Sequence, residues 1–158
     1  MRVGLIILTA ICLLGGCANV QMKKLGKPGY HDLYDLNETA IIEDIKITVE
    51  KAETFSEYKA WKAKDGNAFL VFRVSIDNES NKSVVVSPAQ FNVVSATERI
   101  HGAFQTNGRA KTMQKTRVKA RQTLHTTLLF EVPQNEKYEQ LIFAPDFADG
   151  KSVTIRLT

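Results

Sequence analysis

From Ile45 onward apolar residues fall on alternate positions. Ile45, Ile47 and Val49 share one face against Lys46, Thr48 and Glu50, which is the period of a half-buried strand. Ala68, Leu70, Phe72, Val74 and Ile76 repeat the pattern, while Phe69 and Val71 place apolar side chains on the other face. Such two-sided hydrophobicity predicts a central strand. Leu124, Thr126, Leu128, Phe130 and Val132 alternate until Pro133 stops the run, and Val84 to Val86, Phe91 to Ser95, Ile100 to Phe104, Leu141 to Phe143 and Val153 to Leu157 read as shorter strands. Turn chemistry separates them at Asp65-Gly66-Asn67, at Asp77 to Lys82, at Asn107-Gly108 and at Asp149-Gly150. About seven or eight short strands with turns roughly every ten residues predict an all-β, antiparallel β-sandwich, with a barrel as the alternative. Phe55, Tyr58 and Trp61, at spacing three, admit either a short helix or a cover over one end of the sandwich. In the core, Leu70, Phe72, Val74, Leu128 and Phe130 are expected to meet across the two sheets.

The amino-terminal stretch has a different pattern. Arg2 precedes an apolar run from Val3 to Leu14, too short for a stable membrane span, and a small-residue cleavage site follows. Leu14-Gly15-Gly16-Cys17 resembles the lipobox of bacterial lipoproteins. That resemblance implies a diacylglyceryl group on the Cys17 thiol and cleavage after residue 16, leaving an acylated membrane anchor. Two or three acyl chains at roughly 0.8 kcal/mol per methylene hold firmly where one chain binds only reversibly. The predicted location is the bacterial cell envelope. Ala18 rather than Asp resembles the outer-membrane pattern of the enteric lipoprotein sorting rule, which implies the outer membrane, periplasmic face, in a Gram-negative cell; the same anchor implies the outer face of the plasma membrane in a Gram-positive one. Residues 18 to 37 carry Gly26, Pro28, Gly29, Asn19 and Asn37 with little periodicity, so residues 17–39 read as a flexible tether, on which Tyr30 and Tyr34 suggest partial docking. Twenty such residues reach on the order of 25 Å. Residues 40–158 are then one domain.

Composition sharpens this picture little, and charge distribution more. Cys12 leaves with the signal peptide and Cys17 is blocked by lipid, so the mature chain is expected to have no disulfide and to rest on its hydrophobic core. The formal charge of +4 falls to +3 on loss of Arg2. Between Asp32 and Glu57 eight acids stand against only Lys46 and Lys51, whereas Arg99, Arg109, Lys111, Lys115, Arg117, Lys119 and Arg121 run without an intervening acid. These bases either form a solvated edge that partly complements the acidic half, or a surface for an anionic partner, with Arg109, Lys111, Lys115, Arg117, Lys119 and Arg121 as its binding residues. Nucleic acid is excluded as a partner by the exported address and by the lack of stacking aromatics over 109–121.

Catalytic motifs are eliminated one by one. Ser56-Glu57-Tyr58-Lys59 has the S-x-x-K spacing of serine acyl-enzymes without their S-D-N or K-T-G partners. Gly150-Lys151-Ser152 matches the end of a phosphate loop, but Pro145 stands where its first glycine belongs. His31, His101 and His125 are isolated, so no metal is expected. Asp77 and Glu131 sit at strand ends, where solvation is the default, and Asn37-Glu38-Thr39 and Asn78-Glu79-Ser80 are sequons without meaning in a bacterial lipoprotein.

Gly66 to Lys82, Val86-Ser87-Pro88, Phe91-Asn92-Val93 and Leu128 to Pro133 followed by Tyr138 and Leu141-Ile142-Phe143 together resemble an uncharacterised immunoglobulin-like domain, also described as telomeric-repeat-binding-factor-like, of bacterial lipoproteins and secreted proteins. The chain departs from it at Lys119-Ala120-Arg121-Gln122, where Pro-Gly is usual. The resemblance implies a sandwich outside the cytoplasm and transfers no catalytic residue or cofactor. The expected function is that of a non-catalytic, lipid-anchored module that binds an envelope protein or an anionic polymer. The alternative is an enzyme inhibitor or a hydrolase whose site forms only in three dimensions.

Overall fold

The computed structural model describes residues 33–106 and 112–158. In chain order its strands are β1 (Leu33–Asp35), β2 (Thr39–Ile42), β3 (Ile45–Phe55), β4 (Glu57–Tyr58), β5 (Trp61–Lys62), β6 (Asn67–Asn78), β7 (Val84–Val86), β8 (Phe91–Ser95), β9 (Ile100–Gly102), β10 (Thr116–Val118), β11 (Thr123–Pro133), β12 (Tyr138–Phe143) and β13 (Val153–Arg156). One sheet has the order β11-β6-β3-β2 and the other β1-β13-β12-β8-β9, while β7 pairs with β10 and β4 with β5 as separate ribbons. This is the β-sandwich that the alternating pattern predicts.

Alternation explains which side chains fill it. Ile45, Ile47 and Val49 of β3, Leu70, Phe72, Val74 and Ile76 of β6 and Leu128, Phe130 and Val132 of β11 point into one core, with Phe91, Val93, Leu141, Phe143, Val153 and Ile155 from the second sheet. The expected contact of Phe72 with Phe130 exists, but not across the sheets. Leu128 stands opposite Phe72 and Phe130 opposite Leu70 on neighbouring strands of one sheet. The Phe72 and Phe130 rings meet edge to face, centroids 5.7 Å apart, while the second sheet contributes a stacked pair, Phe91 and Phe143, at 4.5 Å. A period of two reports the face of a residue and not its partner, so it does not tell neighbours in one sheet from partners across two.

Two further expectations change. Residues 33–39, expected to belong to the tether, are part of the domain: β1 pairs with β13 in parallel, an exception to the antiparallel rule, and Tyr34 is buried with its hydroxyl accepting a 3.3 Å bond from the Ile41 amide. A strand with one inward residue has too little periodicity to be read from sequence. The segment 52–66 forms no helix. β3 runs on to Phe55 past a bulge between Glu50 and Ala52, and β4 and β5 then make a hairpin that turns at Lys59, φ 54°. Tyr58, Trp61 and Ala63 of this hairpin, with Phe104, cover Phe69, Val71 and Leu129, so the outer face of β6 has a small core of its own. The aromatics thus cover a sheet face rather than the end of the sandwich.

Polar residues fix the turns. At Gly66 the backbone takes φ 82°, and the Glu131 carboxylate accepts bonds from the Lys64 amide (2.8 Å) and from Asn67 Nδ2 (3.3 Å) across that turn. Glu131 is therefore a clamp and not a merely solvated strand end. Asp77 likewise accepts a bond from Thr123 Oγ1 at 3.2 Å.

Candidate anionic-partner surface

The basic segment is built on one buried asparagine. Asn78 ends β6 with its side chain fully buried, and its Nδ2 donates to the carbonyls of Lys82 (2.8 Å), Val118 (3.1 Å) and Lys119 (3.1 Å). Two hydrogens serve three acceptors, so one hydrogen is shared. Its Oδ1 accepts from the Ser80 amide and hydroxyl at 3.1 and 2.7 Å, and its main chain exchanges bonds with Arg121 N (2.8 Å) and Gln122 O (3.0 Å). The second sequon is thus a structural joint. It ties the turn after β6 to the turn between β10 and β11, and so fixes the ribbon that hangs between them.

Within that ribbon a period of two sorts the side chains. Val118 is buried in the main core and pairs with Val84, while Arg117 lies opposite Val85 and is exposed. Lys115 and Lys119 share the parity of Arg117 and are exposed too, and Arg121 follows at the turn with φ 60°. Lys82, on the facing turn, adds an exposed base that the charge run did not include. Among the described residues none of these five bases has an acid partner. Alternate residues on a strand lie about 7 Å apart, inside the screening length of about 8 Å, so the charges reinforce one another's potential. Arg109 and Lys111, counted with this set from sequence, lie outside the described residues, as does Cys17.

The acidic half does not neutralise this surface. Asp35 pairs with Arg156 (3.5 Å) and Glu43 with Lys151, while Glu79 accepts from Lys46 at 2.6 Å, an interaction that raises the Lys46 pKa. Arg99, the first base of the run, is apart from the others and pairs with Glu136 at 2.6 Å. Of the acidic half, Asp35 and Glu43 thus pair with the carboxy-terminal bases Arg156 and Lys151 instead. The bases of 115–121 stay solvated.

The remaining chemical candidates have structural roles or stand alone. His101 Nε2 lies 3.8 Å from Glu136 Oε2, and its ring meets Tyr138 edge to face at 5.7 Å. Burial, then the Glu136 charge, pushes the Tyr138 hydroxyl up to about 12, and that hydroxyl donates to Pro133 O at 3.0 Å. His125 is exposed beside Glu50, Arg73 and Thr127 in a shallow groove of about 290 Å³ on the outer face of the four-stranded sheet. Ser56 precedes the β4–β5 hairpin and Lys59 sits at its turn, where Lys59 Nζ lies 5.3 Å from the Tyr58 ring centroid. Lys151 is spent on Glu43. No cluster of three His, Cys, Asp or Glu suited to a metal occurs among the described residues.

Sequence reasoning took Asn78 and Lys82 only as turn residues, and the basic run as a solvated edge or a binding surface with no strand assigned to it. The alternation Lys115-Thr116-Arg117-Val118-Lys119-Ala120-Arg121 is itself a strand signal once charge, rather than hydrophobicity, is taken as the outward mark.

Residues 34–153 match the family described as Domain of unknown function (DUF4352). No functionally curated protein is detectably similar in sequence. Among solved structures, the yjhA protein of Bacillus subtilis is 16% identical with a TM-score of 0.61, over 79% of this chain and 99% of that one. The Bacillus subtilis protein ycdA, described as a candidate lipoprotein, is 16% identical with a TM-score of 0.62, over 75% of this chain and 38% of that one. The secreted protein MPT63 of Mycobacterium tuberculosis is 9% identical with a TM-score of 0.62, over 81% and 98%. At these identities the likeness is one of fold.

Proposed function

This chain belongs to the DUF4352 family, and from that premise we propose that it is a non-catalytic envelope lipoprotein, held by acyl chains on Cys17, whose β7–β10 ribbon docks an anionic partner. One observation carries the reading: Lys82, Lys115, Arg117, Lys119 and Arg121 are exposed together and unpaired among the described residues, on a ribbon fixed by the buried Asn78. Exposed like charges repel one another and add nothing to the sandwich, so their clustering on the ribbon and its turns fits recognition. The envelope address draws on the lipobox and on the lipoprotein and secreted descriptions of the fold relatives ycdA and MPT63. The domain is of immunoglobulin-like type in this reading, which the two-sheet sandwich supports. The test is an in-cell crosslinking pull-down of the parent and of the Lys115→Glu, Lys119→Glu double variant. The charge-reversed protein should lose its main partner while keeping its denaturation midpoint, and higher salt should reproduce the loss. Recovery of the same partners by both proteins, at low and at physiological salt, would overturn the proposal.

A further inference from the structure

We infer that the anionic partner of the ribbon is the lipid headgroup surface of the bilayer in which Cys17 is anchored. The inference rests on the reading just given and names its partner. Its ground is the place where the chain enters the sandwich. Leu33 pairs with Thr154, one residue past the start of β13. Lys151, two residues before that start, pairs with Glu43 in the turn between β2 and β3, and the Glu79 amide donates to the neighbouring Asp44 carbonyl at 2.9 Å. Glu79 follows Asn78, the joint of the turns that carry Lys82, Lys119 and Arg121. The point of attachment and the basic turns are therefore at one end of the domain. The other end holds the Gly66 turn and Gln134, whose amide donates to Gly66 O at 3.1 Å. Twelve residues of β6 separate the two ends, a distance of roughly 40 Å.

Fifteen residues, 18–32, lie between Cys17 and Leu33, and at full extension they span at most about 50 Å. Anchoring thus confines the domain near the bilayer and makes contact between ribbon and headgroups an intramolecular event, for which weak attraction at each base suffices. Anionic headgroups attract such bases within a screening length of about 8 Å. Acids share this end, but Glu43 and Glu79 are paired with Lys151 and Lys46. Asp146 accepts from Gln90 Nε2 at 3.0 Å in the connection that follows β7, and Asp149 lies on the connection between β12 and β13; the bilayer is met by the side that carries the bases of the β7–β10 ribbon, unpaired among the described residues.

The test uses the mature lipidated protein reconstituted into vesicles, with a donor fluorophore on Gln122→Cys or Gln134→Cys and an acceptor on the headgroups. Both positions are exposed, and the acylated Cys17 leaves no other thiol in the mature chain. On phosphatidylglycerol-containing vesicles the donor at 122 should lose most of its emission and the donor at 134 far less. On pure phosphatidylcholine, at high salt, or with Lys119→Glu and Arg121→Glu together, the difference should vanish while the protein still floats with the vesicles. Equal emission from the two sites on anionic vesicles, with flotation intact, overturns this inference and leaves the ribbon to a protein or polymer partner. Failure to float overturns the anchor itself, and the inference with it.

Discussion

Asn78→Ala should cost the domain about 3 kcal/mol, because it strands acceptors that water reaches unequally. The Val118 carbonyl is buried and loses its partner outright, at about 1 to 3 kcal/mol, whereas those of Lys82 and Lys119 are partly exposed and regain water at a smaller cost. Loss of the Oδ1 acceptor also frees Ser80, which bonds the Lys82 carbonyl at 2.8 Å and keeps part of the turn. The main-chain bonds of residue 78 to Arg121 and Gln122 are untouched, so the fold should survive. Asn78→Asp should be the worse variant, since it sets a carboxylate against three carbonyl oxygens. Urea denaturation of the mature chain, followed by tryptophan emission from Trp61, reads the effect. With a slope of about 1.5 kcal/mol/M the midpoint should fall by about 2 M without a change in slope. A midpoint within ~0.3 M of the parent for both variants would refute the assignment of Asn78 as the joint of the ribbon, since that shift is under about 0.5 kcal/mol at this slope.

Other outcomes follow from the same packing. Phe72→Ala and Phe130→Ala should each lower stability by ~3 to 5 kcal/mol, and because the rings touch at 5.7 Å the double variant should cost less than the sum; additive denaturation energies would contradict the contact. The Tyr138 hydroxyl, raised from 10.0 to about 12 in the folded state, gives stability that is complete below pH 10 and is lost as pH rises through about 12, since the unfolded chain releases that proton first. Tyr138→Phe should flatten that part of the stability profile relative to the parent, and an unchanged slope would remove the assignment. Cys17→Ser should abolish lipid labelling and release or misprocess the protein, because a hydroxyl does not take the thioether-linked diacylglyceryl group; normal membrane fractionation of the variant would sink the lipoprotein reading.

The long strands were legible because the inner face of β6 repeats over Leu70, Phe72, Val74 and Ile76, and those of β3 and β11 over three residues each, enough for a period of two to outweigh local chance. The short elements were not. β1 offers only Tyr34 to the core, and its parallel pairing joins residues more than a hundred positions apart. The hairpin of Glu57 to Lys62 covers the outer apolar face of β6, an arrangement that an aromatic run at spacing three does not distinguish from a helix. For the surface, the charge run did not show which bases would stay unpaired: Asp35 and Glu43 pair with Arg156 and Lys151, and Arg99 leaves the group for Glu136. Asn78 looked like an ordinary turn residue, since burial is a property of the assembled end and not of the local sequence.

Site-specific photocrosslinking in living cells tests the central claim most directly. A diazirine side chain at Val85, which lies opposite Arg117 on the ribbon, is compared with one at Lys62 on the aromatic hairpin and one at Gln134 at the far end. The account predicts adducts concentrated at position 85 and lost when Lys115 and Lys119 are both changed to Glu. Adducts of equal yield at all three positions, or confined to 62, would contradict it and move the interface to the aromatic hairpin.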